Sequence, residues 1–157
     1  MSGDVRTWLA GPEEAPEVAR LLVEFRDWYG RSDPPAETFV AGVERLIADP
    51  NAEYLLAAAP GAERPGGVCQ LRYRYGVWTA SDDCWLEDLY VSSDARRFGL
   101  GAALVAAAID RARARGCGRI ELDVSESNRA AWALYERMGF SAGYKPPAPN
   151  VLMGLRL

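Results

Sequence analysis

The stretch Arg96-Arg97-Phe98-Gly99-Leu100-Gly101 follows an apolar run, Trp85 to Val91, and opens an Ala-rich run that starts near Leu100. Two glycines at that junction free the backbone to approach a ligand closely, and a helix that begins there directs its unpaired N–H groups outward. Arg96 and Arg97 add fixed positive charge. Such a loop suits a pyrophosphate, although glycines in a strand-to-helix turn also serve as plain turn residues. The chain holds no histidine, which removes the commonest general base and the commonest metal ligand. Acid–base chemistry must therefore rest on other groups, and the candidates are the carboxylates Glu87 and Asp88 and the phenol of Tyr135. Cys69, Cys84 and Cys117 are odd in number and unclustered, so neither a disulfide framework nor a zinc site is implied and no metal is expected.

The elements that must position these residues follow from periodicity and punctuation. A strand is predicted around Val5 to Leu9. A helix carries Val18, Leu21, Leu22, Phe25, Trp28 and Tyr29 up to Gly30, and a second carries Phe39, Val40, Val43, Leu46 and Ile47 ahead of Pro50. Tyr54 to Ala59 and Val68 to Val77 read as a hairpin joined by the turn-rich stretch Pro60 to Gly67. Trp85 to Val91 is the fourth strand, a helix runs from about Leu100 to Arg115 with Gly116 as its cap, and Ile120 to Val124 is the fifth. Strand, helix and strand of this length imply a parallel pair, with ligands bound beyond the carboxyl ends, where the glycine loop lies. Asn128 caps a last helix bearing Ala131, Leu134, Tyr135 and Met138 on one stripe and ending at Gly139. Strands near Ser141 to Tyr144 and Val151 to Leu155 complete the pattern. Residues 1–157 form a single domain on this reading, since one core suits the length and no linker or repeat interrupts it.

Composition narrows the function. Apolar residues are 49% and charged residues 25%, with a net charge of −4. This is the balance of a soluble globular protein, without the basic face that nucleic acid requires. A cationic substrate suits it better. No apolar run reaches the ~18 residues of a membrane span, and the first residues lack the pattern of a secretory leader. A cytoplasmic location with no membrane partner is the expectation. Asp82, Asp83, Glu24 and Asp27 are candidates for an acidic mouth, and Tyr73, Tyr75, Trp78 and Trp85 for an amine channel or a dimer face, although solvation and burial explain both sets as well.

Three segments in register, Trp85-Leu86-Glu87-Asp88-Leu89-Tyr90-Val91, Arg96 to Gly101, and Asn128-Arg129-Ala130-Ala131-Trp132-Ala133-Leu134-Tyr135-Glu136-Arg137-Met138-Gly139-Phe140, give the chain its resemblance to the GNAT superfamily of N-acetyltransferases. The loop matches the family's acetyl-CoA signature at Arg96, Gly99 and Gly101, and the Leu-Glu-Asp segment is most similar to spermidine/spermine (diamine) acetyltransferases. The resemblance implies an α/β fold with a mixed central sheet of six or seven strands, a V-shaped splay between the parallel fourth and fifth strands, and about four helices. It implies acetyl transfer from acetyl-CoA to a primary amine, by direct attack in a ternary complex, without a metal and in a homodimer. Cofactor contacts fall on Leu89, Tyr90 and Val91 for the pantetheine arm, on Arg96, Arg97, Phe98, Gly99, Leu100, Gly101 and Ala102 for the pyrophosphate, and on Asn128 and Ala131. Tyr135 becomes the general acid for the departing thiolate, although an aromatic on an apolar stripe also serves as core. Glu87 becomes the base for the substrate ammonium, with Asp88 its rival; period-two alternation sets Glu87 on the face of Leu89 and Val91, and Asp88 on the face of Tyr90. A protein or peptide N-acetyltransferase and a non-catalytic acyl-CoA-binding regulatory module are the alternatives.

Overall fold

The computed structural model describes residues 3–142 and 152–157. The chain forms two compact units, Met1–Asp123 and Val124–Leu157. In the first, β1 (Arg6–Leu9), α1 (Ala15–Trp28), α2 (Glu37–Ile47), β2 (Ala52–Ala58), β3 (Gly67–Gly76), β4 (Ser81–Val91), α3 (Leu100–Ala114) and β5 (Arg119–Glu121) follow in order; the second contains α4 (Arg129–Arg137). The sheet runs β1-β2-β3-β4-β5. Its first three pairings are antiparallel and the last, β4 with β5, is parallel. The hairpin, the crossover through α3 and the parallel pair thus agree with the sequence reading.

Alternation along β2 and β3 sends side chains to two covered faces. Tyr54, Leu56, Val68 and Tyr90 meet Ala15, Val18, Leu21 and Leu22 of α1 and Val43 of α2 in one apolar cluster. On the opposite face α3 buries Leu100, Leu104, Val105 and Ala108. Each buried leucine contributes roughly 2–3 kcal/mol of transfer free energy. Gly67 lets α3 sit close to β3, because a Cβ there would lie 3.0 Å from Leu104 Cδ1.

The expectation of six or seven strands is corrected to five among the described residues. Leu152–Leu157 lie outside any strand, with Leu152, Met153 and Leu155 almost fully exposed, and Ser141 and Ala142 are likewise outside one. The remainder of the two predicted C-terminal strands lies outside the described residues. Alternating apolar residues state which side a strand would bury; they do not supply the neighbouring chain whose N–H and C=O groups make it a strand. No helix among the described residues is long and apolar enough to cross a membrane.

Candidate active site

β4 positions most of the site. Its parallel ladder with β5 pairs Asp83 with Arg119, Cys84 with Ile120 and Trp85 with Glu121, and stops there, while β4 continues to Val91 against β3 alone. From Leu86 onward no strand among the described residues lies beside that edge of β4, leaving main-chain donors and acceptors there that an amide-bearing ligand can satisfy. Leu89, Tyr90 and Val91 lie on this stretch.

A β-bulge interrupts β4 at its candidate base. Gln70 pairs with Asp88 and Leu71 with Leu86, so Glu87 is the extra residue and the pleat changes phase across it. Leu86 opposes Leu71, whereas Asp88 opposes Gln70 and shares the face of Val68 and Tyr90. The expected grouping of Asp88 with Tyr90 holds, but Glu87 belongs to the bulge and is exposed. Asp88 sits in the row Tyr54–Gln70–Asp88. Burial pushes its carboxyl up to about 6, and the charges of Glu87 and Asp123 push in the same direction. Asp88 forms no ion pair among the described residues. Its basicity is thereby brought towards neutral pH.

Beyond β4, Ser92 donates its N–H to the Gly66 carbonyl at 2.8 Å and its hydroxyl to Glu24 Oε2 at 2.5 Å. Arg20 holds the other oxygen of Glu24 at 2.7 Å and donates to the Pro65 carbonyl at 2.7 Å. The β2–β3 turn and α1 thereby fix the start of the glycine loop. Gly66 is needed for that approach, since a Cβ on it would fall 2.4 Å from the Ala95 Cβ. A 3-10 turn, Ser93–Ala95, leads to Arg96, whose Nε donates to the Val91 carbonyl at 3.2 Å. Arg97 and Gly99 then take positive φ, 78° and 82°. Successive N–H groups in such a sequence of conformations curve into an anion-binding concavity. Strain at Arg97, a non-glycine in the left-handed region, is of the kind that collects at ligand clamps.

Gly99 is the N-cap of α3 and offers no side-chain cap. The first bond across that end runs from Ala103 N–H to the Gly99 carbonyl, at 3.0 Å. The N–H groups of Leu100, Gly101 and Ala102 precede it, at the positive end of a helix of 15 residues. A Cβ on Gly99 would meet nothing within 4 Å, so its conformation rather than its space requires glycine. Arg96 and Arg97 make no ion pair among the described residues, and Phe98 is exposed beside them.

In the second unit Asn128 caps α4, accepting from Ala131 N–H at 3.3 Å. Tyr135 is buried on this helix, with its ring 5.7 Å from that of Phe140. Gly139, at φ 96°, turns the chain so that Phe140 N–H reaches the Tyr135 carbonyl at 3.0 Å and Gly139 N–H reaches Glu136. The Gly-Phe pair thus locks the turn of helix that carries the tyrosine.

Other candidates do not assemble as free groups. Asp82 pairs with Arg115 and Asp83 with Arg119, both at 2.9 Å, while Asp27 pairs with Arg26 and Glu24 with Arg20, both at 2.7 Å. The acidic mouth is therefore a set of ion pairs. Tyr73 donates to Glu53 at 2.8 Å and lies 4.0 Å beneath the Arg115 guanidinium, a structural role, and Trp78 is fully exposed on the β3–β4 turn. No cluster of metal-ligating side chains occurs among the described residues.

These features define an α/β protein whose fourth strand, open along one edge beyond Trp85 among the described residues, leads into a glycine loop at a helix N-terminus. The model of the acetyltransferase (GNAT) family matches residues 5–140, and the chain belongs to that family. Thialysine N-epsilon-acetyltransferase of Sus scrofa is 33% identical over 86 residues, 52% of this chain and 49% of that protein. The ribosomal protein bS18-alanine N-acetyltransferase of Escherichia coli (strain K12) is 43% identical over 60 residues, 38% of this chain and 40% of that protein. The chain spans about half the length of the curated relatives it matches. A solved structure from Arthrobacter sp. FB24 superposes with a TM-score of 0.82 at 30% identity, covering 96% of this chain and 94% of that one.

Proposed function

We propose that the protein transfers the acetyl group of acetyl-CoA to a primary amine, with both substrates bound together. The observation that carries this reading is the continuity of the open edge of β4 with the cradle of Arg97 to Ala102. A ligand with amides along one part and a diphosphate at the end would satisfy both sets of donors, and this is the composition of coenzyme A; bound acetyl-CoA supplies an activated thioester to the amine. Leu89, Tyr90 and Val91 would hold the amide arm through main-chain groups, and the loop N–H groups, with Arg96 and Arg97, would hold the phosphates. A main-chain N–H at the bulge would stabilise charge developing on the carbonyl oxygen.

An amine near pKa ~10 is protonated at neutral pH and must lose a proton before it attacks. Asp88 is raised for that task by burial and by the neighbouring charges of Glu87 and Asp123. We assign the proton to an Asp88 carboxylate oxygen, with Glu87 acting through its charge, in place of the reverse assignment favoured by the sequence pattern. Tyr135 would give its phenolic proton to the departing sulfur, which its place in the Asn-to-Phe motif supports. Initial rates of acetyl-CoA consumption, measured against monoamines, diamines, aminoglycosides and peptides, test the reading. Turnover on small amines supports it, turnover on peptides alone moves the acceptor to protein, and CoA binding without turnover on any acceptor returns the fold to a regulatory module.

A further inference from the structure

Two rows of side chains cross the sheet where β4 and β5 part. Val68, Gln70 and Arg72 of β3 alternate onto the α1/α2 face, and their partners on β4 follow them there. One row is Arg72–Trp85–Glu121 and the next is Gln70–Asp88. Same-face neighbours on a strand are roughly 7 Å apart. Gln70 and Arg72 therefore set a similar spacing for Asp88 and Trp85, since the bulge at Glu87 takes up the extra residue between them. Trp85 closes the ladder between β4 and β5, and the open stretch of β4 begins at the residue after it.

The Trp85 indole is unused. It is 36% exposed, and among the described residues no aromatic ring stacks on it and no guanidinium stands over it. Trp8, by contrast, donates its Nε1–H to Glu14 at 2.6 Å and lies 5.7 Å from the Arg6 guanidinium. The charged neighbours of Trp85 in its own row are engaged elsewhere, Arg72 with Asp49 at 3.9 Å and Glu121 with Arg119 at 3.1 Å. In the adjoining row Asp88 has no ion pair among the described residues, and the charges of Glu87 and Asp123 act on it. An open π face beside such a carboxylate suits an ammonium: the ring quadrupole attracts the charge from one side while the carboxylate accepts its N–H from another.

The order of groups along β4 gives that ammonium a role. The glycine loop lies past the end of β4, the amide arm is read as running back along Val91 to Leu89, and the thioester then falls at the bulge, with Trp85 next on the α1/α2 face. We infer that Trp85 is a specificity-determining residue of the acceptor site, its indole the floor on which an alkylammonium settles with the nitrogen against Asp88. This rests on the acetyl-transfer reading above and adds the group that selects a cationic acceptor. The nitrogen is positive in the bound ammonium and positive again in the tetrahedral adduct, so the ring stabilises both alike and acts on KM far more than on kcat.

The test uses the full chain with acetyl-CoA and n-butylamine. Trp85→Leu, which keeps an apolar side chain and removes the π face, should raise the KM for the amine about tenfold with kcat within about twofold, and Trp85→Phe should fall between the two. Tetramethylammonium, which has no N–H to acetylate, should compete with the amine about tenfold better than neutral tert-butyl alcohol in the wild type, and within about threefold of it in Trp85→Leu. Circular dichroism and CoA titration check that each variant is folded and loads its cofactor. An unchanged KM in Trp85→Leu, a Phe variant no better than the Leu variant, or the alcohol competing with the wild type as well as the cation does, overturns the indole's role and leaves acetyl transfer standing. Turnover confined to acceptors other than simple alkylamines does the same. Absence of turnover on every amine despite CoA binding overturns the inference together with the transfer reading.

Discussion

Replacing Asp88 by Asn should make the protein more stable and less active, and both effects can be worked from the structure. An aspartate ordinarily titrates near ~3.9; burial, then Glu87 and Asp123, raise this one to about 6. A rise of about two corresponds to roughly 3 kcal/mol of destabilisation when the group is charged in the fold. Asn removes the charge but keeps a partly buried polar group that must still be hydrogen-bonded, so about half of that should be recovered. For a chain of this size the gain raises Tm by about 3–6 °C. Its pH dependence follows from the direction of the shift. Between about 4 and 6 the folded state binds more protons than the unfolded one, so wild-type stability falls as pH rises through that window. The advantage of Asp88→Asn is therefore absent near pH 4, grows towards pH 6 and is constant above it. Turnover should fall by about 100-fold or more in the same variant, because the proposed proton acceptor would be gone. Scanning calorimetry at pH 4, 5, 6 and 7, with kcat measured at saturating amine, decides the matter. An Asp88→Asn protein with wild-type Tm at pH 7, or with its advantage already present at pH 4, would refute the electrostatic reasoning, and one with full activity would refute the base.

Gly99→Ala has room for its methyl but forces an alanine to φ 82°; it should lose about 1 kcal/mol of stability and bind CoA more weakly, and unchanged calorimetric titrations and melting would remove the loop's conformational role. Tyr135→Phe keeps the ring beside Phe140 and removes only the hydroxyl, so kcat should drop while CoA affinity holds, as steady-state kinetics paired with CoA titration will register. Leu104→Ala, at a fully buried position of α3, should lower stability by about 2–5 kcal/mol in a urea melt, a loss under 1 kcal/mol contradicting the packing assigned to that face.

The helices and the glycine loop were legible because their signals are local. Gly30, Pro50, Gly116 and Gly139 punctuate runs of apolar residues at helical spacing, and Gly99 with its positive φ falls where the sequence asks for a turn. The bulge also left a trace. Side chains on the α3 face of β4 are Cys84, Leu86, Leu89 and Val91, spaced two, three and two, and the single step of three spans Glu87. Reading that break in phase, instead of assuming strict alternation, separates the two carboxylates by their surroundings. What stayed illegible depends on contacts between residues distant in sequence. Asp82 and Asp83 resemble free acids until Arg115 and Arg119, 33 and 36 residues later, close on them. Burial of Asp88 requires knowing that Tyr54 and Gln70 stand in its row. The strand count failed for the same reason, since alternation at Leu152–Leu157 carries no statement about a neighbour.

Isothermal titration of the full chain with coenzyme A, beside dephospho-CoA and free pantetheine, tests the central claim most directly. Saturable binding of CoA and dephospho-CoA, with pantetheine weaker by an order of magnitude or more, is the predicted result, because the loop proposed to hold the diphosphate, Arg97 to Ala102, would act on that group. No heat with any of the three, or pantetheine binding as tightly as CoA, would contradict it.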